Sequence, residues 1–134
     1  MPIRDRPPAG FVARMTFHTQ LNSKMSEKEW QKMVTETADW FGWIYYHSRP
    51  ALTQAGKWAT PLQGLAGFPD LVLVHKTRGL VFAELKSQTG RLSDKQERWI
   101  DLLTYSGAEA HVWRPTDWPA VLRRLRNNPG GNKK

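Results

Sequence analysis

Two apolar stretches of the chain carry charges where neutral side chains would pack more cheaply. In GFPDLVLV, residues 67–74, the charge is Asp70; in LVFAELKSQTG, residues 80–90, the charges are Glu84 and Lys86. Ionised groups are seldom buried unless they are paired or bind a metal, so the three need a joint explanation. Two carboxylates in contact repel, and one of them holds a proton unless a cation lies between them. A hard cation such as Mg²⁺ takes oxygen ligands, commonly one or two carboxylates with water and substrate phosphate. It lowers the pKa of its water and offsets charge developing at phosphorus. A lysine beside that water can orient it or help to deprotonate it. Asp, Glu and Lys at this spacing therefore suffice for metal-assisted phosphodiester hydrolysis. The competing account is a salt bridge at a strand end, since a bare D…ExK pattern also arises by chance.

The chemistry requires the three side chains to share one place, and that depends on register. Successive side chains of a strand point to opposite faces, so Glu84 and Lys86 share a face while Leu85 points away. If 71–75 and 80–85 form a hairpin with a five-residue connection at 75–79, Asp70 lies opposite Glu84. A slip of one residue would put them on opposite faces.

The remaining elements follow from period and punctuation. Ser26 with Glu29 three residues later forms a capping-box pattern. Trp30, Met33, Val34, Thr37 and Phe41 then recur at helical spacing until Gly42. Residues 43–47, WIYYH, read as a strand, and 48–66, with two prolines and two glycines, as a long loop. Ser93 starts a second helix to about Tyr105, residues 110–113 make a further strand, and Thr116 or Asp117 caps a last helix. The order predicts an α/β fold, one small mixed sheet flanked by helices.

Composition narrows the class. Length bounds the chain to one domain with tails: a basic arm over 1–25, a folded unit over 26–126 and a basic tail over 127–134. The absence of cysteine excludes disulfides and thiolate metal sites and fits a reducing cytoplasm. No apolar span is long enough for a transmembrane helix, and the first residues lack the apolar centre of a secretory signal. The net charge of +8 points to a polyanionic partner. Its distribution is uneven, because residues 25–122 carry as many acidic as basic groups. The excess lies in Arg4, Arg6, Arg14 and Lys24 at one end and Arg123, Arg124, Arg126, Lys133 and Lys134 at the other. Such ends are either solvated or grip phosphate without sequence preference.

Taken together, Gly67-Phe68-Pro69-Asp70, Glu84-Leu85-Lys86, the run from Gly90 through Leu92 and Ser93 to Gln96, and Trp113-Arg114-Pro115 resemble the PD-(D/E)xK nucleases. The closer resemblance is to the virus-type replication–repair nuclease (VRR-NUC) domain in its small phage form, and the segment GWIYYH is similar to that family's first strand. The resemblance implies a restriction-endonuclease-like αβββαβ core and an Mg²⁺- or Mn²⁺-dependent endonuclease. It implies Asp70, Glu84 and the carbonyl of Leu85 as metal ligands and Lys86 as the residue serving the attacking water. It further implies an acidic residue on the first helix, for which Glu29 is the match and Glu27 the competitor, though Glu29 is also the capping-box residue. Gln96 has the same double identity: it closes the box from Ser93, yet shares an inward stripe with Trp99, Ile100 and Leu103.

His47, Arg49, Lys57, Arg91 and Lys95 flank the site as candidate phosphate contacts, and Trp58 is a candidate to stack on an unpaired base. Small members of the family act as homodimers on branched DNA, four-way junctions above all. The resemblance therefore implies Holliday-junction resolution. The rivals are a non-catalytic nucleic-acid-binding module and a flap-cutting or restriction-like nuclease.

Overall fold

The computed structural model describes residues 24–48, 51–52, 56, 58–59 and 63–129. Helix α1 spans Glu27–Trp40, followed by strands β1 (Ile44–His47), β2 (Ala51–Leu52), β3 (Trp58–Ala59), β4 (Leu71–His75) and β5 (Gly79–Leu85). Helix α2 (Asp94–Tyr105), strand β6 (Ala110–Trp113), a 3₁₀ turn (Pro115–Asp117) and helix α3 (Trp118–Arg126) complete the chain. The main sheet runs β1-β4-β5-β6. Its first two pairings are antiparallel and β5–β6 is parallel, so the sheet is mixed and helix-flanked, as the element order predicts.

Both expected capping boxes form. Ser26 accepts from the Glu29 amide and Glu29 accepts from the Ser26 amide, and Ser93 and Gln96 repeat the exchange. Gly42 ends α1 at φ +86°, a left-handed conformation that glycine adopts without steric cost. Trp43, expected within the first strand, precedes it and turns into the core, where its indole donates to the Leu125 carbonyl at 2.8 Å.

The interval 48–66 differs from the expected plain loop. Ala51–Leu52 and Trp58–Ala59 pair as a small antiparallel ladder. Two residues per strand are too few to display the alternation that identifies strands in sequence.

Odd-numbered residues of β4 and β5 point to the core. Leu71, Leu73, Val81, Ala83 and Leu85 are fully buried there with Trp30, Val34, Val121 and Leu125 of α1 and α3. Each such aliphatic side chain contributes about 1.5–3 kcal/mol. Met25, assigned to the arm from sequence, is buried in this cluster. The even-numbered residues face the other way, toward α2, and this face carries the charged residues singled out above.

Candidate active site

Strand register sets the site. Leu71 pairs with Ala83 and His75 with Gly79, so continuing the ladder by one residue brings Asp70 opposite Glu84, the register of the five-residue connection. The Asp70 amide donates to Glu84 Oε1 at 3.3 Å, and the Leu85 amide donates to Asp70 Oδ2 at 3.3 Å. The two acids and the Leu85 peptide thus form one interlocked unit at the end of the hairpin.

Glu84 is almost completely buried, at 1% exposure. Its carboxyl is pushed up to about 8, first by desolvation and then by the charge of Asp70 and a carboxyl–carboxyl hydrogen bond, with Lys86 opposing. Near neutral pH the pair therefore shares a proton. This is the behaviour of adjacent carboxylates without a cation between them. Lys86 Nζ lies 3.8 Å from Glu84 Oε2. Its backbone amide donates to the Trp113 carbonyl at 3.1 Å, extending the β5–β6 ladder past the strand.

Gln96 takes both of the roles between which the sequence left it. Its Oε1 accepts from the Ser93 amide at 2.9 Å and its Nε2 donates to Glu84 Oε2 at 2.9 Å. An amide has an acceptor end and a donor end, so capping the helix and holding the acid are compatible.

Two further residues build the site without having been singled out for it. Trp99, one turn after Gln96, donates from its indole to the Leu65 and Ala66 carbonyls, each at 3.1 Å, fixing the loop that delivers Asp70. Gly67 of that loop stands at φ +96°, and a Cβ there would lie 2.8 Å from the Lys95 backbone carbon. Arg114 donates from Nη1 to the Ser87 and Gly90 carbonyls at 2.7 and 2.6 Å, clamping the segment between Lys86 and α2. The Trp113-Arg114-Pro115 motif carried the signal for Arg114, but only the fold brings residues 87–90 beside it.

The other candidates stand further out. Glu29 lines a cleft of about 330 Å³ between α1 and β1 together with His47, Lys28 and Lys32. Among the described residues no group of three or more acids, histidines or cysteines is placed to hold a metal ion, so neither Glu29 nor Glu27 joins Asp70 and Glu84. Arg91 and Lys95 are exposed at the approach to α2. Arg49 and Lys57 lie outside the described residues, as does the side chain of Trp58.

The oxygen-only donors of Asp70, Glu84 and the Leu85 carbonyl fit a hard divalent cation, as does a proton held where a cation would relieve repulsion. A mixed sheet with two hydrogen-bonded carboxyls, a lysine and a glutamine at one end defines a nuclease-type α/β domain. The VRR-NUC domain model matches residues 53–117, and this stretch carries that domain. A solved structure described as a VRR_NUC domain protein is similar over 79% of this chain and 89% of its own, at 21% identity and a TM-score of 0.49. No curated protein matches the chain.

Proposed function

We propose that the protein is an Mg²⁺- or Mn²⁺-dependent endodeoxyribonuclease that cuts branched DNA, resolving four-way junctions as a homodimer. The observation that carries this reading is the Asp70–Glu84 pair, buried, proton-sharing and flanked by Lys86 and Gln96. A fold seldom retains two interlocked acids at such electrostatic cost without a use for them.

When bound, the cation supplies an activated water and neutralises charge at phosphorus. Asp70, Glu84 and the Leu85 carbonyl would hold it. The remaining work belongs to the chain. Lys86, on the same face as Glu84, orients the attacking water and carries positive charge toward the scissile phosphate. Gln96 fixes one Glu84 oxygen and leaves the other toward Asp70. Lys95 and Arg91, at the exposed approach to α2, contact flanking phosphates and set the position of the strand. Two symmetric nicks across a junction need two such sites related by a two-fold.

The test is strand cleavage of labelled four-way junction, flap and plain duplex with Mg²⁺, Mn²⁺ or EDTA, beside Lys86→Ala. The expected result is metal-dependent cutting of the junction that the variant loses. Equal cutting of all three substrates would remove the junction preference and keep the chemistry. Binding without cutting in any metal would sink the enzyme reading.

A further inference from the structure

The even-numbered face of the sheet is organised in rows. Strand pairing aligns Ile44, Val74 and Leu80 in one row and Tyr46, Val72 and Phe82 in the next. The row after that carries Asp70 and Glu84, with the Ser48 amide on the Asp70 carbonyl at 3.0 Å. Helix α2 covers only part of this face. It packs on β6, and the contacts of Phe68 with Phe82 and Trp99 join it to β5. The β1–β4 half has no helix above it among the described residues. Ile44 is 72% exposed, Tyr46 68%, Leu80 48% and Val74 45%, and on α2 itself Leu102 is 52% and Tyr105 92% exposed. No side chain of α2 is fully buried.

We infer that this uncovered half-sheet, with the outer flank of α2, is the contact surface for a second copy of the same chain. The inference deepens the homodimer reading above and rests on it for the identity of the partner, but it does not depend on the hydrolytic chemistry. The area fits. The six residues expose on the order of 800 Å², about one partner's share of a standard interface, whereas an apolar patch on a monomer is usually a few hundred Å². The six side chains are all uncharged or apolar, so the surface can meet its own copy without opposing like charges. A nucleic acid would select a basic surface instead.

The placement also suits the chemistry. Four residues of strand, about 13 Å, separate the Ile44–Val74–Leu80 row from the carboxylate row. A two-fold near the apolar row therefore sets the two carboxylate pairs about 25 Å apart on the same side of the assembly. That spacing is of the order of the width of a DNA duplex.

The experiment is sedimentation velocity of the full chain across 0.5–50 µM, beside Ile44→Glu, Leu80→Lys and the milder Ile44→Gln, each checked for folding by far-UV circular dichroism. The wild-type chain should sediment as a dimer at micromolar concentration. Both charged variants should sediment as folded monomers, with dissociation weakened at least tenfold for Ile44→Gln. A wild-type chain monomeric throughout the range would overturn the inference, and so would a dimer that survives all three substitutions. Cleavage assayed on the same samples keeps the two readings separate. A folded monomer that cuts DNA would refute the interface alone, and a dimer of this kind that cuts nothing would refute the nuclease alone.

Discussion

At the scale of single residues, the proton shared by Asp70 and Glu84 makes stability depend on pH. Glu84 moves from an ordinary value of 4.5 to about 8 on folding, so between these limits the native state holds a proton that the unfolded chain has lost. Stability from this group is full below about 4.5 and falls as pH rises toward 8, by up to ~1.4 kcal/mol per pH unit. Thermal unfolding in EDTA from pH 5 to 9 should show a falling melting temperature, and Glu84→Gln should flatten the curve. Added Mg²⁺ or Mn²⁺ should restore more stability at pH 8 than at pH 6, because protons compete with the cation. Substituting Lys86 with Ala should cost 10²- to 10⁴-fold in kcat and leave the fold intact, as read by single-turnover cleavage with a melting curve on the same sample.

Much of this was legible in advance. Alternation placed Glu84 and Lys86 on one face, and loop parity placed Asp70 opposite. Gln96 could not be resolved from sequence because a capping role and an inward role use the same spacing, and only the geometry reveals that its two ends divide them.

At the scale of elements, the site rests on two loops that α2 and β6 hold in place. The Asp70 loop lies against the first turn of α2 through Gly67 and Trp99, and the loop after Lys86 is clamped by Arg114. Gly67→Ala should destabilise the protein by ~1–3 kcal/mol, from the strained φ and the crowding of the Lys95 backbone, which chemical denaturation would measure. Arg114→Lys keeps the charge but cannot reproduce a planar donor that reaches two carbonyls at once. It should lower kcat more than it raises KM for a DNA substrate, since the clamp positions Lys86 and Gln96 rather than binding nucleic acid. An effect on KM alone would identify Arg114 as a phosphate contact instead.

The elements themselves were readable where a period ran for several turns or a cap stood at the end, as in α1 and α2. The β2–β3 ladder was not, being only two residues per strand. Nor were the Trp99 and Arg114 contacts, which join parts of the chain 24 or more residues apart.

At the scale of the whole molecule, charge and apolar surface are segregated. The excess positive charge lies at the two ends of the sequence and the central 25–122 is neutral. DNA affinity should therefore fall steeply with salt, by a log–log slope of ~0.9 per phosphate neutralised. Removing residues 130–134, with Lys133 and Lys134, should lower that slope by less than two units while leaving cleavage of already bound DNA unchanged. Titrations at 50–200 mM salt would measure both.

The apolar half-sheet was only partly foreseeable. Both faces of β4 and β5 are apolar in sequence, the pattern of a sheet covered on both sides, and sequence does not say whether the cover comes from the same chain.

The Trp113 carbonyl has a consequence of its own. It accepts the backbone amide of Lys86 at 3.1 Å and, from beneath the sheet, the indole of the fully buried Trp30 at 2.8 Å. One oxygen thus joins the helix-packed interior to the residue at the reacting end, like a single pin through two layers. Heat that loosens α1 should withdraw one of that oxygen's two partners before the strands part, so catalytic function should fail several degrees below the temperature at which the sheet melts.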